Sequence, residues 1–461
     1  MALPPSNPPR LSVLETTLVA PSSTGPGPDP PAECSLPLTF FDVFWLNSPP
    51  VERVFLYRLA PDDNILSNLK TSLSQAIRAF YPLAGRLRAT ANGRYELHYQ
   101  PGDGVSFTVA EYDLGVDELS TDDPREVSKI APLVPSLIPK DKAGNGAPVL
   151  AVQATVLHGG QGLAIGVALH HAACDGASST RFLHTWAAAA RSSAENAPRP
   201  APPVVDRTLM PDPRGLYDHF AKALPTADEM EYVKMCPDQL LATFTLSVAD
   251  TQRVKDAVAA EATRRGVKPP PRCSSLVAAF GFIWSCYQRA KDADADQTTP
   301  TYLLFPVDHR SRMKPPLPED YFGNCVGAAL HGAPMGELGE AGAGGLHTAC
   351  AAVAAAIDQA LSGIGTPEMD SWMEQIREAG ASGGGVLSVA GSPRFKVYEM
   401  DFGFGRPVKV EIVSVARTGA MAVAESRRCA GGIEVGISLP PAAMHRFRNC
   451  FHDAIAWLQD H

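Results

Sequence analysis

The chain has 461 residues, and at about 150 residues per domain that length predicts two or three domains, since a single core stops growing well before it. Hydrophobic residues make up 45% and charged residues 19%, a globular composition that excludes disorder, collagen and coiled coil over most of the chain. Forty basic against 49 acidic side chains give a net charge of −9, which argues against nucleic acid as a partner, because a nucleic-acid surface is marked by excess positive charge. No stretch reaches the ~20 apolar residues that span a bilayer. The opening MALPPSNPPR has no apolar segment of the secretory kind. A cytoplasmic protein with no membrane partner is expected. Nine cysteines, from Cys34 to Cys450 and without a Cys-x-x-Cys pair, predict reduced core thiols, with neither a disulfide framework nor a metal site.

In chain order, periodicity predicts a helix over 64–80 and a strand over 93–99. Strands at 149–157 and 163–171 flank His158-Gly159-Gly160-Gln161-Gly162, a hairpin by composition. A helix follows over 178–192, with Ser178 or Ser179 as N-cap and Phe182, Leu183 and Trp186 on one stripe. The 42 prolines crowd the first 50 residues and the segment from Pro198 to Pro225. The second crowd reads as a crossover linker at 193–235, between a first domain at 1–192 and a second at 236–461. Helices follow at 251–262, 274–290, 346–361 and 441–458, and strands at 301–307, 408–416 and 432–438. The glycine-rich and alanine-rich run 336–345 is expected to be a mobile loop. Helices and strands interleave in both halves, so the class is α/β with mixed sheets flanked by helices.

The most informative segment is His170-His171-Ala172-Ala173-Cys174-Asp175-Gly176-Ala177, where a strand ends and a helix has not begun. In the preceding strand Leu163, Ile165, Val167, Leu169 and His171 share one face, so His171 is expected to project between layers. Burial holds an imidazole neutral near neutral pH, as a general base requires. Asp175, followed by Gly176, can turn away and fix the loop through a basic partner. A satisfied core histidine is the competing reading of His171. A metal site built on His171 and Asp175 lacks a third ligand. His170, on the small-residue face, reads as structural, and Cys174 as packing, since nothing beside it would lower its pKa. Arg253, Lys255, Arg264, Arg265, Lys268 and Arg272 form a basic cluster just before Ser274 opens a helix, either an anion site or a solvated helix face.

These residues carry a resemblance. His171-Ala172-Ala173-Cys174-Asp175-Gly176 resembles the His-x-x-x-Asp-Gly motif of the BAHD family of plant acyl-CoA-dependent acyltransferases. Phe80-Tyr81-Pro82-Leu83-Ala84-Gly85-Arg86 resembles a signature of the family's first domain. Asp401-Phe402-Gly403-Phe404-Gly405-Arg406-Pro407 is similar to its Asp-Phe-Gly-Trp-Gly-x-Pro. Tyr321-Phe322-Gly323-Asn324-Cys325, with Asp308-His309-Arg310 before it, and Leu38-Thr39-Phe40-Phe41-Asp42 resemble motifs of the subgroup that malonylates phenolic, flavonoid and anthocyanin glucosides. The resemblance spans about residues 10–460.

It implies two similar domains of the chloramphenicol acetyltransferase kind, a monomer, and a channel at the domain interface with His171 at its middle. His171 would take the proton of a sugar hydroxyl, and the alkoxide would attack the thioester directly, with no acyl-enzyme. Malonyl-CoA or another acyl-CoA is then a co-substrate, with no tightly bound cofactor and no metal. Asp175 is implied to be a structural support of the catalytic loop. Lys255 and Ser274 or Ser275, in the second domain, are implied on the CoA side, and Thr39 and Phe41 on the acceptor side. Asp401, Gly403 and Gly405 are implied to form a structural loop in the second domain, its aspartate paired with Arg310 or Arg312. Phe404 departs from the usual tryptophan. Arg181, in the first turns of the helix after the catalytic loop, is a candidate for gripping the malonyl carboxylate, against a plain surface role. An aromatic donor such as a hydroxycinnamoyl-CoA, and a non-catalytic member of the fold that binds small molecules, are the alternatives.

Overall fold

The structure, a computed structural model, describes residues 9–24, 29–59, 64–137, 146–191, 200–224, 235–291, 296–363 and 366–461. Residues 1–8 of the opening decapeptide, and 193–199 and 225–234 of the expected linker at 193–235, lie outside the described residues. Two units divide the chain: Met1–Pro213 with Asp320–Asn324 and Lys396–Ser414, and Arg214–Glu319 with Cys325–Phe395 and Val415–His461.

In the first unit β1 (Leu11–Val19), β2 (Val51–Arg58), β3 (Val105–Tyr112), β4 (Leu150–Leu157) and β5 (Gly162–Leu169) form a mixed sheet in the order β1-β3-β4-β5-β2, with the strand Lys409–Ile412 beyond β2. Only β3 and β4 pair in parallel. Every residue of β5 is buried, so its bulky and small faces do not divide core from solvent. At Gly166 an added Cβ would meet the Leu133 carbonyl oxygen at 1.9 Å, and only glycine admits that approach. The helices α1 (Phe40–Val43), α2 (Ile65–Ala79) and α3 (Gly176–Arg191) belong to this unit, and α2 packs against α3. The Trp186 indole N–H of α3 donates to Leu69 O at 3.1 Å, closing the contact.

Three expectations are corrected here. The helix after the catalytic loop begins at Gly176, with Asp175 and not a serine as its cap: the Ser178 N–H donates to Asp175 Oδ1 at 3.0 Å. The Asp401 loop belongs to the first unit and not to the second. Lys409–Ile412 adds to β2, and the fully buried Lys409 ammonium lies between Asp122 at 2.6 Å and Glu411 at 3.4 Å, with Glu411 also paired to Arg125. Backbone pairing and a balanced buried charge group together hold the segment there. The run 336–345 is not a loop: it contributes to the short helix Met335–Gly339 and to the start of the helix Ala343–Gly363.

In the second unit the strands Val326–Pro334, Pro300–Asp308, Val386–Gly391, Met421–Glu425, Ile433–Leu439 and Leu240–Leu246 lie side by side in that order, with Val386–Gly391 parallel to both of its neighbours and the other pairings antiparallel. Helices α4 (Val248–Arg264) and α5 (Ser275–Arg289) pack with Ala343–Gly363 and Pro441–Asp460 around Phe244, Phe282, Trp284, Phe447 and Phe451. Among the described residues no single helix is long and apolar enough to cross a membrane. No group of three or more His, Cys, Asp or Glu side chains there could hold a metal ion.

Candidate active site

The chain leaves β5 at Leu169, two residues earlier than the periodicity predicts. His170 makes the break: its N–H donates to Val149 O at 2.8 Å, its carbonyl accepts from Ala173 N at 3.0 Å, and its Nδ1 accepts from Ala172 N at 3.2 Å. His171 therefore sits in a tight turn pinned from its own preceding residue. Its ring stacks on Trp45, centroids 3.9 Å apart and planes 19° from parallel. Its Nδ1 is buried with no hydrogen-bond partner among the described residues. Burial lowers the imidazole from 6.5 to about 4, with the Arg53 charge acting in the same direction and the Asp175 charge opposing both. His171 is thus neutral at physiological pH and free to accept a proton.

Beneath the turn lies a layer that sequence reasoning did not resolve. Asn324 Nδ2 donates to the His171 carbonyl at 2.9 Å. The same amide group and the Asn324 N–H both donate to Asp42 Oδ1 at 2.9 Å. Asp42, fully buried, is the third residue of α1 and its Oδ2 accepts from the Thr39 N–H and hydroxyl at 2.9 and 2.8 Å, closing a capping box. Arg207 Nη2 stands 3.5 Å from Asp42 Oδ2, an ion pair without hydrogen-bond geometry, while its Nη1 donates to Tyr321 Oη and Phe322 O. Leu38–Asp42 and Tyr321–Cys325, two separate motifs in the sequence, thus meet under the catalytic turn through Asp42 and Asn324. Thr39 and Phe41 are corrected: the Thr39 hydroxyl is committed to Asp42 and Phe41 is 2% exposed, so both belong to the supporting layer and not to an acceptor surface. The proline-rich connection is corrected likewise, since it carries Arg207 into this core.

Asp175, 1% exposed, caps α3 as described. Ser178 Oγ donates to Tyr321 O and Gly323 O at 3.1 and 3.2 Å, tying the helix start to the same motif. Cys174 is buried and its thiol is pushed far up by burial first and the Asp175 charge next, so it is no nucleophile. Arg181 lies half-buried on α3 and makes no ion pair among the described residues.

Among the described residues no arginine pairs with Asp401. Asp401 Oδ1 accepts from Gly403 N at 2.8 Å and Gly405 N at 2.9 Å, and the two glycines hold φ of 103° and 100°, which L side chains rarely adopt. Arg310 instead pairs with its neighbour Asp308 at 3.3 Å. Phe402 packs edge-on against Trp186 at 4.8 Å, and Phe404 edge-on against Tyr57 at 5.0 Å, so a phenyl ring fills the place expected of tryptophan.

In the second unit Lys255 Nζ donates to Ser275 Oγ at 3.0 Å, while Ser274 Oγ accepts from Val277 N as the N-cap of α5. The three residues come together at a helix start. The wider basic cluster does not act as one: Arg264 and Arg265 are both held at 2.6 Å by Glu261, and Arg253 by Asp250 at 3.4 Å. Arg272 stands 3.9 Å from Asp358 of the helix Ala343–Gly363, and Lys255 is the member that bonds a side chain of α5.

The first of two α/β units with mixed sheets thus carries a neutral imidazole on a rigid turn at the end of a buried strand. The family model of the Transferase family matches residues 11–454. The chain belongs to that family, the BAHD acyl-CoA-dependent acyltransferases, and is an enzyme that uses acyl-CoA as co-substrate. It is 34% identical to phenolic glucoside malonyltransferase 1 of Arabidopsis thaliana over 96% of this chain and 98% of that protein. It is 30% identical to malonyl-coenzyme:anthocyanin 5-O-glucoside-6'''-O-malonyltransferase of Salvia splendens over 93% and 94%. In fold it matches the crystal structure of vinorine synthase with a TM-score of 0.69 at 19% identity, over 95% of this chain and 96% of that one.

Proposed function

We propose that the enzyme transfers malonyl from malonyl-CoA to a sugar hydroxyl of a phenolic, flavonoid or anthocyanin glucoside. The observation that carries the chemistry is His171, neutral, stacked on Trp45 and fixed through its carbonyl by Asn324. With Nδ1 buried, Nε2 is the nitrogen that meets the acceptor. It takes the hydroxyl proton as the oxygen forms its bond to the thioester carbonyl. The tetrahedral intermediate collapses with cleavage of the C–S bond, and the imidazolium returns the proton to the leaving sulfur, giving ester and CoA thiol. Lys255 and the α5 start at Ser274 and Ser275 are suited to the donor's phosphates, where a cation and free N–H groups favour anions. The donor assignment rests on relatives named as malonyltransferases at 34%, 32% and 30% identity. A coumaroyl donor is the second reading, because a relative 30% identical is named as a coumaroyltransferase of an anthocyanidin glucoside.

The test measures thiol release from malonyl-, acetyl- and coumaroyl-CoA with a panel of phenolic and anthocyanin glucosides. Malonyl-CoA is expected to be the preferred donor, with His171→Ala losing about 10²–10⁴-fold in kcat at unchanged fold. Preference for coumaroyl-CoA would overturn the donor, and a folded His171→Ala enzyme at wild-type rate would overturn the mechanism.

A further inference from the structure

Arg53 is a buried cation of the first unit without an ion pair among the described residues. It lies in the middle of β2, 6% exposed, opposite Val167 of β5 and Ile412 of the outer strand. Both cross-strand neighbours are apolar and offer no counter-charge. Its Nη1 donates to Thr180 Oγ1 of α3 at 3.3 Å. Among the described residues it makes no ion pair, and Nε and Nη2, which make no hydrogen bond there, are not fully enclosed. Of the buried acids of this unit, Glu411 is taken up by Arg125 and Lys409, Asp42 by Arg207, Thr39 and Asn324, and Asp175 accepts from the Ser178 N–H. A buried guanidinium without a counter-ion is costly, and the cost shows in its own proton affinity, lowered by burial to about 10.

We infer that Arg53 is the anchor for a carboxylate carried by the acyl group of the donor, which supplies the missing counter-charge when bound. The inference rests on the malonyl reading above and adds the residue that selects the donor. Its geometry agrees with the chemistry. The carboxylate of a malonyl group is two bonds from the thioester carbonyl, and that carbonyl must meet the hydroxyl held by His171. A cation that grips the carboxylate must therefore sit close to the base, and the Arg53 charge is felt at His171. The free Nε and Nη2 edge is the planar fork that binds a carboxylate bidentately, while Thr180 holds the third nitrogen in place. An uncharged acyl group would leave Arg53 buried and uncompensated, so the site discriminates against acetyl as well as attracting malonyl. Arg181, the residue expected for this task, is less buried and lies one position beyond Thr180 on the same helix. A half-solvated guanidinium gains less from a carboxylate than one held out of water.

The experiment compares initial rates with malonyl-CoA and acetyl-CoA on one glucoside for the full-length wild type, Arg53→Met and Arg181→Ala. Arg53→Met is expected to lower kcat/KM for malonyl by about 10²-fold, the scale of a lost charged hydrogen-bond pair, with acetyl transfer level or raised. Arg181→Ala is expected to leave the malonyl-to-acetyl ratio unchanged. Equal losses on both donors in Arg53→Met, or a collapse of the ratio in Arg181→Ala alone, would overturn the assignment while the malonyl reading stands. A wild type that prefers an uncharged acyl-CoA would overturn both. Thr180→Val covers the case in which Arg53→Met does not fold. It keeps the charge and removes the hydroxyl that orients it, so KM for malonyl should rise several-fold with acetyl unaffected, and an unchanged ratio would overturn the proposal.

Discussion

Asp42 is the residue on which the layer under the catalytic turn converges, and its removal has a calculable cost. Asp42→Ala takes away the acceptor of hydrogen bonds from Thr39 and Asn324, at 2.8 to 2.9 Å, and the counter-charge of Arg207 at 3.5 Å. Breaking a buried ion pair by deleting one partner costs about 3–5 kcal/mol, mostly for the charge left behind. Arg207 keeps Tyr321 Oη and Phe322 O as acceptors, which places the expected loss near ~3 kcal/mol, the lower end of that range. In a unit of about 240 residues each kcal/mol shifts the melting temperature by about 2–4 °C, so the fall should be about 6–12 °C. Thermal and urea unfolding of wild type, Asp42→Ala, Arg207→Met and the double variant supply the cycle. Arg207→Met in the Asp42→Ala background should restore about 1–2 kcal/mol, because the stranded charge is gone. A change under about 1 kcal/mol for Asp42→Ala, or additive single effects, would refute the account.

Two further outcomes follow from the same geometry. His170, His171 and His309 are each lowered to about 4, chiefly by burial. Below pH 6.5 the unfolded chain takes up protons that the folded chain refuses, so stability is full above that pH and is lost as pH falls towards 4; the acid limb of kcat/KM should likewise lie near pH 4. A limb near 6.5 in a fully folded enzyme would show a solvated, unperturbed His171. Asp401→Ala frees the N–H groups of Gly403 and Gly405 and should cost about 1–3 kcal/mol with kcat nearly unchanged. A large drop in kcat at wild-type stability would place that loop in the chemistry.

The elements with one strong period were legible. Ile65–Ala79, Ser275–Arg289 and Pro441–Asp460 lie within a residue or two of their expected bounds, because an apolar stripe at helical spacing specifies its own partner face. Strands such as Leu240–Leu246 and Val386–Gly391 escaped notice. Their burial is set by neighbours far away in sequence, and a short apolar run carries no period of its own. The domain of the Asp401 loop was misassigned for a related reason. The pairing of Lys409–Ile412 with Val51–Arg58 and the charges that bury Lys409 are contacts across some 290 to 360 positions, to which periodicity is blind.

His171 was legible because a turn between a strand and a helix, closed by Asp-Gly, is a local pattern. Asn324, Asp42, Trp45 and Arg207 were not, for each acts only through a partner from another part of the chain. Asn324 stood inside a motif, yet nothing local to it says that its amide holds the carbonyl of His171. The physical reason for such an arrangement is that His171 lies beyond the last ladder bond of its strand and gains no further rigidity from the sheet. A general base must nonetheless be held to a fraction of an ångström. The stacking of Trp45, the self-pinned turn of His170 and the Asp42–Asn324 bridge replace the missing ladder from three directions. The placement of the base therefore depends on Asp42 as much as on the strand that delivers it, and loss of that carboxylate should loosen His171 and lower kcat even where the imidazole itself is untouched.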